Sequence, residues 1–256
     1  MNQFKSKKLG GNARALWGKH PGILLLDGCQ YQVADYQHNQ LYYNFKPCVH
    51  FLEAKGKLLF GKEFKIYEED KALLFKLICY FIEDAKECHK FGIQLNKGIL
   101  LSGPVGCGKT TLMQLLPHLV PHKLISQYEL LSCRKIVFEF NKLGYQTIEE
   151  YAELKACCFD DLGVEAIGRH FGKDCNVMGE ILISRYESFQ RSVSNQLYTY
   201  NTYNPFSFGG IRGRTHITTN LNAEELEQKY GERVRSRMRK LFNLIAFDKN
   251  CDDKRK

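Results

Sequence analysis

Residues 98–112 read GILLSGPVGCGKTTL and hold a complete phosphate-binding loop, Gly103-x-x-x-x-Gly108-Lys109-Thr110. The flanks matter as much as the pattern. A short apolar run at residues 99–101 supplies a buried strand, and residues 110–116 open a helix. Gly103, Gly106 and Gly108 permit backbone angles that a Cβ would block, so successive N–H groups turn inward at a helix N-terminus and wrap phosphates. Lys109 supplies a point charge to the β and γ phosphates, and the Thr110 hydroxyl suits Mg²⁺. Pro104 stiffens the loop and Cys107 is a small filler. With Val105 and Thr111 these residues form the expected nucleotide-binding set, for ATP or ADP.

Downstream, residues 156–163 read ACCFDDLG, an apolar strand ending in two acids. Opposite a phosphate loop, Asp160 is placed to hold Mg²⁺ through water, and Asp161 to orient or deprotonate an attacking water. Residues 215–219 (THITT) make a β-branched strand ending at Asn220, whose amide can reach a γ-phosphate or that water. Asn222 with Glu225 three positions on is a capping box for the next helix. There follows YGERVRSRMRK, in which Arg233 and Arg237 share one helical face and Arg235 and Arg239 another. One face can reach an adjacent subunit's γ-phosphate as an arginine finger while the other meets DNA or acids.

The chain has 256 residues and is 44% hydrophobic, enough for one large α/β domain with a small appendage. Its longest apolar stretch, residues 72–82, contains Lys76 and is too short to span a bilayer; with no hydrophobic leader, a cytoplasmic location is expected. Ten cysteines include no C-x-x-C and read as reduced thiols. His118 and His122 directly follow Pro117 and Pro121, which spoil the helix that a zinc site would need. The net charge of +9 sits at the ends: residues 1–50 carry six basic and two acidic groups, residues 201–256 twelve and seven. That favours a polyanionic partner such as DNA, beside the plain alternative of a solvated basic surface.

Residues 1–65 read as a separate small segment and residues 66–256 as the main domain. In the first, residues 23–26 form a strand closed by Asp27-Gly28, and Tyr31, Tyr36, Tyr42, Tyr43 and Phe45 read first as filling a small core, second as stacking on bases or docking a partner. Residues 68–91 have helical periodicity. Pro117 ends the helix after the loop, residues 122–126 offer a second strand, and residues 128–143 a helix stopped by Gly144. Residues 176–189 read as another helix, residues 200–213 as a polar, aromatic loop carrying Arg212 ahead of Arg214, and residues 243–247 as the last strand.

In the order and spacing of GPVGCGKTT, CCFDDLGVE, the helix ending ISRYE, THITTNL and YGERVRSRMR, residues 65–256 resemble the AAA+ ATPases of the DnaC/DnaI helicase-loader group and their IstB-type transposition relatives. The resemblance implies a three-layer α/β/α P-loop fold with parallel strand order 5-1-4-3-2, and no room after Phe247 for a full helical lid. It makes Lys109 and Thr110 the Walker A pair, Asp160 and Asp161 the Walker B acids and Asn220 the first sensor. Arg237 becomes the arginine finger, with Arg233 the alternative, and only Arg255 is available as a second sensor. Aspartate at 161, where many AAA+ proteins have glutamate, implies slow, switch-like hydrolysis. The implied function is an ATP-driven oligomeric switch that loads a replicative helicase, preferring single-stranded over duplex DNA. The alternatives are a transposition helper that recruits a transposase and a DNA-binding adaptor whose nucleotide is structural.

Overall fold

A computed structural model describes residues 3–5, 22–121, 123, 128–154, 156–198 and 214–255, with only the backbone for Gln3 and for 192–198. The chain divides into two units, Met1–Leu95 with Thr111–Gln127, and Asn96–Thr110 with Tyr128–Lys256. The polar loop expected at 200–213, with Arg212, lies outside the described residues. So do His122 and, apart from Lys123, the whole segment expected as the second strand.

In the first unit, strands β1 (Gln3–Lys5), β4 (Ala34–Gln37) and β5 (Gln40–Asn44) form an antiparallel sheet in the order β1-β5-β4, and β2 (Ile23–Leu26) pairs with β3 (Cys29–Gln32). Asp27 and Gly28 turn the second hairpin with φ of 49° and 76°, as two-residue hairpin loops require. The aromatics build the core: Tyr43 is buried, Phe45 meets Phe4 and Phe75 edge-on, and Tyr31 meets Phe51. The helix Phe45–Phe60 that follows β5 carries no sequence signal strong enough to separate it from the aromatic stretch. The single helix expected over 68–91 is instead two, Lys71–Ile82 and Ala85–Lys90. Glu83 turns left-handed at φ 61°, and the Asp84 carboxylate accepts the N–H groups of Lys86 and Glu87, both at 3.0 Å, starting a new helix within the same apolar period.

The second unit is a five-stranded parallel sheet flanked by helices, the three-layer α/β/α arrangement. Its strands are β6 (Gly98–Ser102), β7 (Glu129–Ser132), β8 (Cys157–Leu162), β11 (Thr215–Thr219) and β12 (Phe242–Ala246), in the spatial order β12-β6-β11-β8-β7. Numbered within the sheet this is 5-1-4-3-2, as expected. The second strand is Glu129–Ser132, a stretch that the sequence assigns to the start of a helix; the helix begins only at Cys133 and stops before Gly144. Glu-Leu-Leu-Ser is too short for its period to decide, and pairing with β8 from Glu129↔Cys157 to Ser132↔Asp160 makes it a strand. The helix after the loop stops at Leu115, and Pro117 lies within the turn of 3₁₀ helix that follows, Leu116–Leu119, which belongs to the first unit. The helix expected over 176–189 runs Val177–Tyr198. A helix Tyr145–Glu153 and a hairpin of β9 (Gly168–His170) and β10 (Lys173–Cys175) complete the unit.

The central strand β11 is buried at every residue yet four of its five side chains are polar, and their hydrogen bonds fix its surroundings. His216 Nδ1 accepts the Ile99 N–H at 3.1 Å, and burial pushes this imidazole down to about 3, so it is neutral. Thr219 Oγ1 donates to the Leu162 carbonyl at 2.6 Å, and Thr215 Oγ1 accepts Arg185 Nε at 2.6 Å. Arg185, 6% exposed, also donates to the carbonyls of Tyr151 (2.8 Å), Ala152 (3.3 Å) and Leu154 (3.0 Å). The arginine of the ISRYE segment thus caps the helix Tyr145–Glu153, whose last carbonyls lack intrahelical partners.

Replacing Arg185 with Met strands those carbonyls, and the loss of stability expected in denaturant unfolding is about 3 kcal/mol. Arg169→Met, which breaks only the exposed Arg169–Asp174 pair, leaves the unfolding midpoint unchanged.

Candidate nucleotide site

The site lies at the carboxyl ends of β6, β8 and β11. Gly103 N–H donates to the Thr219 carbonyl at 3.2 Å and Phe247 N–H to the Ser102 carbonyl at 2.8 Å, so the loop is moored on both neighbouring strands as it leaves β6. Gly106 and Gly108 take φ of 82° and 99°, and the helix Lys109–Leu115 begins directly after them. Val105 is exposed at the loop's tip and Cys107 is buried beneath it. Lys109 is 6% exposed, and its ammonium donates to the carbonyls of Gly103 at 2.8 Å and Pro104 at 2.7 Å, within the loop's curve. Thr111 follows as the third residue of the helix.

Thr110 Oγ1 donates to Asp160 Oδ1 at 2.8 Å, joining the loop to the acid strand. Thr218 Oγ1 donates to the same oxygen at 2.6 Å and accepts the Asp161 N–H at 2.9 Å. The register explains why one threonine serves both acids. Ile217 pairs with Phe159 and Thr219 with Leu162, so Asp160 and Asp161 share the place opposite Thr218 as a β-bulge. The bulge puts Asp161 at φ 56°, a left-handed angle unusual for aspartate. Desolvation at the strand end, then the Asp160 charge, raises the Asp161 carboxyl above its usual range, while Lys109 and Arg255 oppose the rise.

Asn220 is exposed one residue beyond β11, whose Thr219 is paired with Ser102 on one side and Leu162 on the other. It therefore stands where the loop and the acids converge. Arg233 and Arg237 lie on the helix Ala223–Leu241. Arg233 is exposed, and Arg237 is half-buried with its guanidinium 5.0 Å from the Tyr186 ring centroid. The capping box at Asn222 is formed, Glu225 N–H to Asn222 Oδ1 at 2.9 Å and Asn222 N–H to Glu225 Oε2 at 2.7 Å.

Two features carry no local signal in the sequence. Thr218 sits in a strand where threonine is already explained by β propensity, and its role appears only through the register with β8. The chain after β12 also returns to the loop. Lys254 N–H donates to the Gly106 carbonyl at 3.1 Å and its Nζ to the Cys107 carbonyl at 3.2 Å. A Cβ on Gly106 would lie 2.0 Å from Asp253 Oδ1, so a larger residue there would push that carboxylate aside, and the φ of 82° independently favours glycine. Arg255 is forked onto Asp253 at 3.0 and 2.9 Å.

The donor set suits a small hard cation beside a phosphate. A hydroxyl and a carboxylate 2.8 Å apart are the oxygen ligands Mg²⁺ prefers, with a lysine ammonium and a helix N-terminus for the anion. Among the described residues, no group of three or more His, Cys, Asp or Glu is arranged to hold a metal. No helix among the described residues is long and apolar enough to cross a membrane.

In structure the chain is similar to a DnaC helicase loader. That likeness has a TM-score of 0.46 at 19% identity and covers 72% of this chain and 92% of the other. A candidate primosome component from Streptococcus pyogenes serotype M3 gives 0.46 at 18% identity over 73% and 83% of the two chains. AMPPCP-bound DnaA from Aquifex aeolicus gives 0.38 at 16% identity over 73% and 49%. No protein-family profile matches the sequence, and no curated protein matches it.

Because the folded state disfavours the ionised Asp161, its charge costs stability above the ordinary carboxylate range and the cost disappears on protonation. Asp161→Asn is therefore expected to raise the thermal midpoint at neutral pH, with a gain that shrinks as pH falls through the carboxylate range. Melts at several pH values check this; a gain independent of pH would assign it to asparagine's tolerance of the left-handed angle alone.

Proposed function

We propose that the chain is a Mg²⁺-dependent ATPase that works as an assembly switch in DNA replication, in the manner of the helicase loaders its motifs resemble. The observation that carries the ATPase reading is the 2.8 Å bond from Thr110 to Asp160, which unites the phosphate loop with the acid strand. In this reading Thr110 and Asp160 hold the cation, which would screen the phosphate charge. Lys109 binds the phosphates with the loop N–H groups. Asp161, its carboxyl made more basic by desolvation and by Asp160, accepts a proton from the attacking water that Asn220 orients.

The arginine finger is proposed at Arg237, with Arg233 the alternative, each acting on a neighbouring copy. Lifting Arg237 off Tyr186 costs about 0.5–1 kcal/mol. A finger contributes about 10³–10⁵ in rate, so the internal contact is a resting place rather than an obstacle. Partner docking is proposed in residues 1–65, where Leu58, Leu59 and Phe60 form an exposed apolar run at a helix end. Single-stranded DNA and a replicative helicase are the proposed partners, on the strength of the basic ends and the exposed arginines.

Lys109→Ala is expected to reduce ATP turnover by at least about 100-fold; normal hydrolysis would remove the site assignment. Arg237→Ala and Arg233→Ala, each assayed alone and mixed with Lys109→Ala protein, identify the finger: the finger variant is inactive alone and regains turnover in mixed oligomers, because the Lys109→Ala neighbour supplies the missing arginine. Binding to single-stranded and duplex DNA, compared at matched salt, tests the loader reading, and preference for duplex would favour the transposition helper.

A further inference from the structure

The acid strand and the arginine helix are joined behind the site by one buried side chain. Asp161, next to last in β8, opens a tight turn, its carbonyl accepting the Val164 N–H at 3.2 Å, and Gly163 within that turn has φ 104°. Glu165 closes the turn: its Oε2 accepts the Gly163 N–H at 2.8 Å. The other carboxylate oxygen, Oε1, accepts the Tyr230 hydroxyl. The Glu165 carbonyl accepts Lys229 Nζ at 2.8 Å, and the Lys229 carbonyl in turn accepts Asn176 Nδ2 at 3.1 Å.

Glu165 is 4% exposed and Tyr230 6%. A carboxylate so buried persists where its lone pairs are filled, and hydrogen bonds in such surroundings are strong enough to make the joined segments move together. The Cys133 thiol reports the same convergence. Burial raises it first, and the charges of Glu165, Asp160 and Asp161 all add to the rise.

Lys229 and Tyr230 are the last residues before Gly231, where the helix Ala223–Leu241 breaks at φ 82° and ψ 160°. A Cβ at Gly231 would meet nothing within 4 Å, so glycine is needed there for the backbone angle and not for space. Arg233 and Arg237 lie on the far side of this break. The near half is held to the acid turn by Glu165; the far half buries Val234, Met238 and Leu241 in the same core, and its backbone meets the near half at the single permissive residue Gly231.

We propose that Glu165 is a positioning residue that couples the Asp161 turn to the arginine-bearing half of the helix, with Gly231 as the joint. The coupling rests on the ATPase reading above, because it supposes that nucleotide acts at Asp161. A shift of the Asp161 turn then passes through Gly163, Glu165 and Tyr230 to the joint, and re-aims Arg233 and Arg237. By reciprocity, engagement of those arginines by a neighbouring copy alters nucleotide affinity in the subunit that carries them.

The test uses the full chain with Tyr230→Phe, which removes only the hydroxyl, and Glu165→Gln, which keeps the shape, each first checked for a cooperative melt. Affinity for a fluorescent ATP analogue, ATP turnover against protein concentration, and hydrogen exchange of residues 231–241 with and without the non-hydrolysable analogue AMPPCP are measured. Expected for both variants is analogue affinity within about twofold of wild type, turnover at oligomer-forming concentration reduced at least about tenfold, and loss of the nucleotide-dependent change in exchange at 231–241. A purely structural role would lower the melt and leave that exchange response intact. Wild-type turnover and exchange response in both variants would overturn the coupling while leaving the ATPase reading standing. A wild-type chain that binds the analogue without turnover and shows no exchange response would remove both.

Discussion

The second unit depends on one carboxylate oxygen. Asp160 Oδ1 accepts hydroxyls from Thr110 and from Thr218, and so ties the helix after the phosphate loop, the acid strand and the central strand at a single atom. Charge-assisted bonds of this kind are about twice as strong as neutral ones. Two on one oxygen fix the Asp160 side chain at the sheet's end. In the proposed ATPase reading the same arrangement would place two oxygen ligands side by side for a cation.

Around that fixed point the structure accepts strain. The bulge opposite Thr218 puts Asp161 at a left-handed angle, and desolvation with the Asp160 charge raises its carboxyl; both disfavour the folded state. Sites often carry such costs because a group suited to proton transfer is one that its surroundings do not fully stabilise. The compensation is nearby: the Asp161 N–H is bonded to Thr218, its carbonyl to Val164, and the turn is held from behind by the buried Glu165.

The polar side chains of β11 serve one purpose on each neighbour. Thr215 meets Arg185 and through it a helix end, His216 meets β6, Thr218 the acids, and Thr219 the Leu162 carbonyl. A strand of valines would bury as well. It would not set the register that places Asp160 beside Thr110, because apolar contacts are tolerant of sliding whereas a hydrogen bond fails within a fraction of an ångström.

Local patterns already determined much of this chain. The phosphate loop, the acids at a strand end, the Asn222 capping box and the stop at Gly144 are legible because each expresses a backbone angle or a cap that neighbouring residues specify on their own. The order of strands followed from the resemblance in motif order. Only the tertiary structure decided that Glu129–Ser132 is a strand, since four residues have no period and the partner strand supplies the preference. It alone revealed that Thr218 serves both acids, 58 residues from Asp160, that Lys254 returns to the loop, and that Glu165 grips Tyr230, 65 residues away. Such contacts leave no trace in spacing, because a hydrogen bond between distant residues depends on where the sheet brings them and not on what stands beside them in the chain.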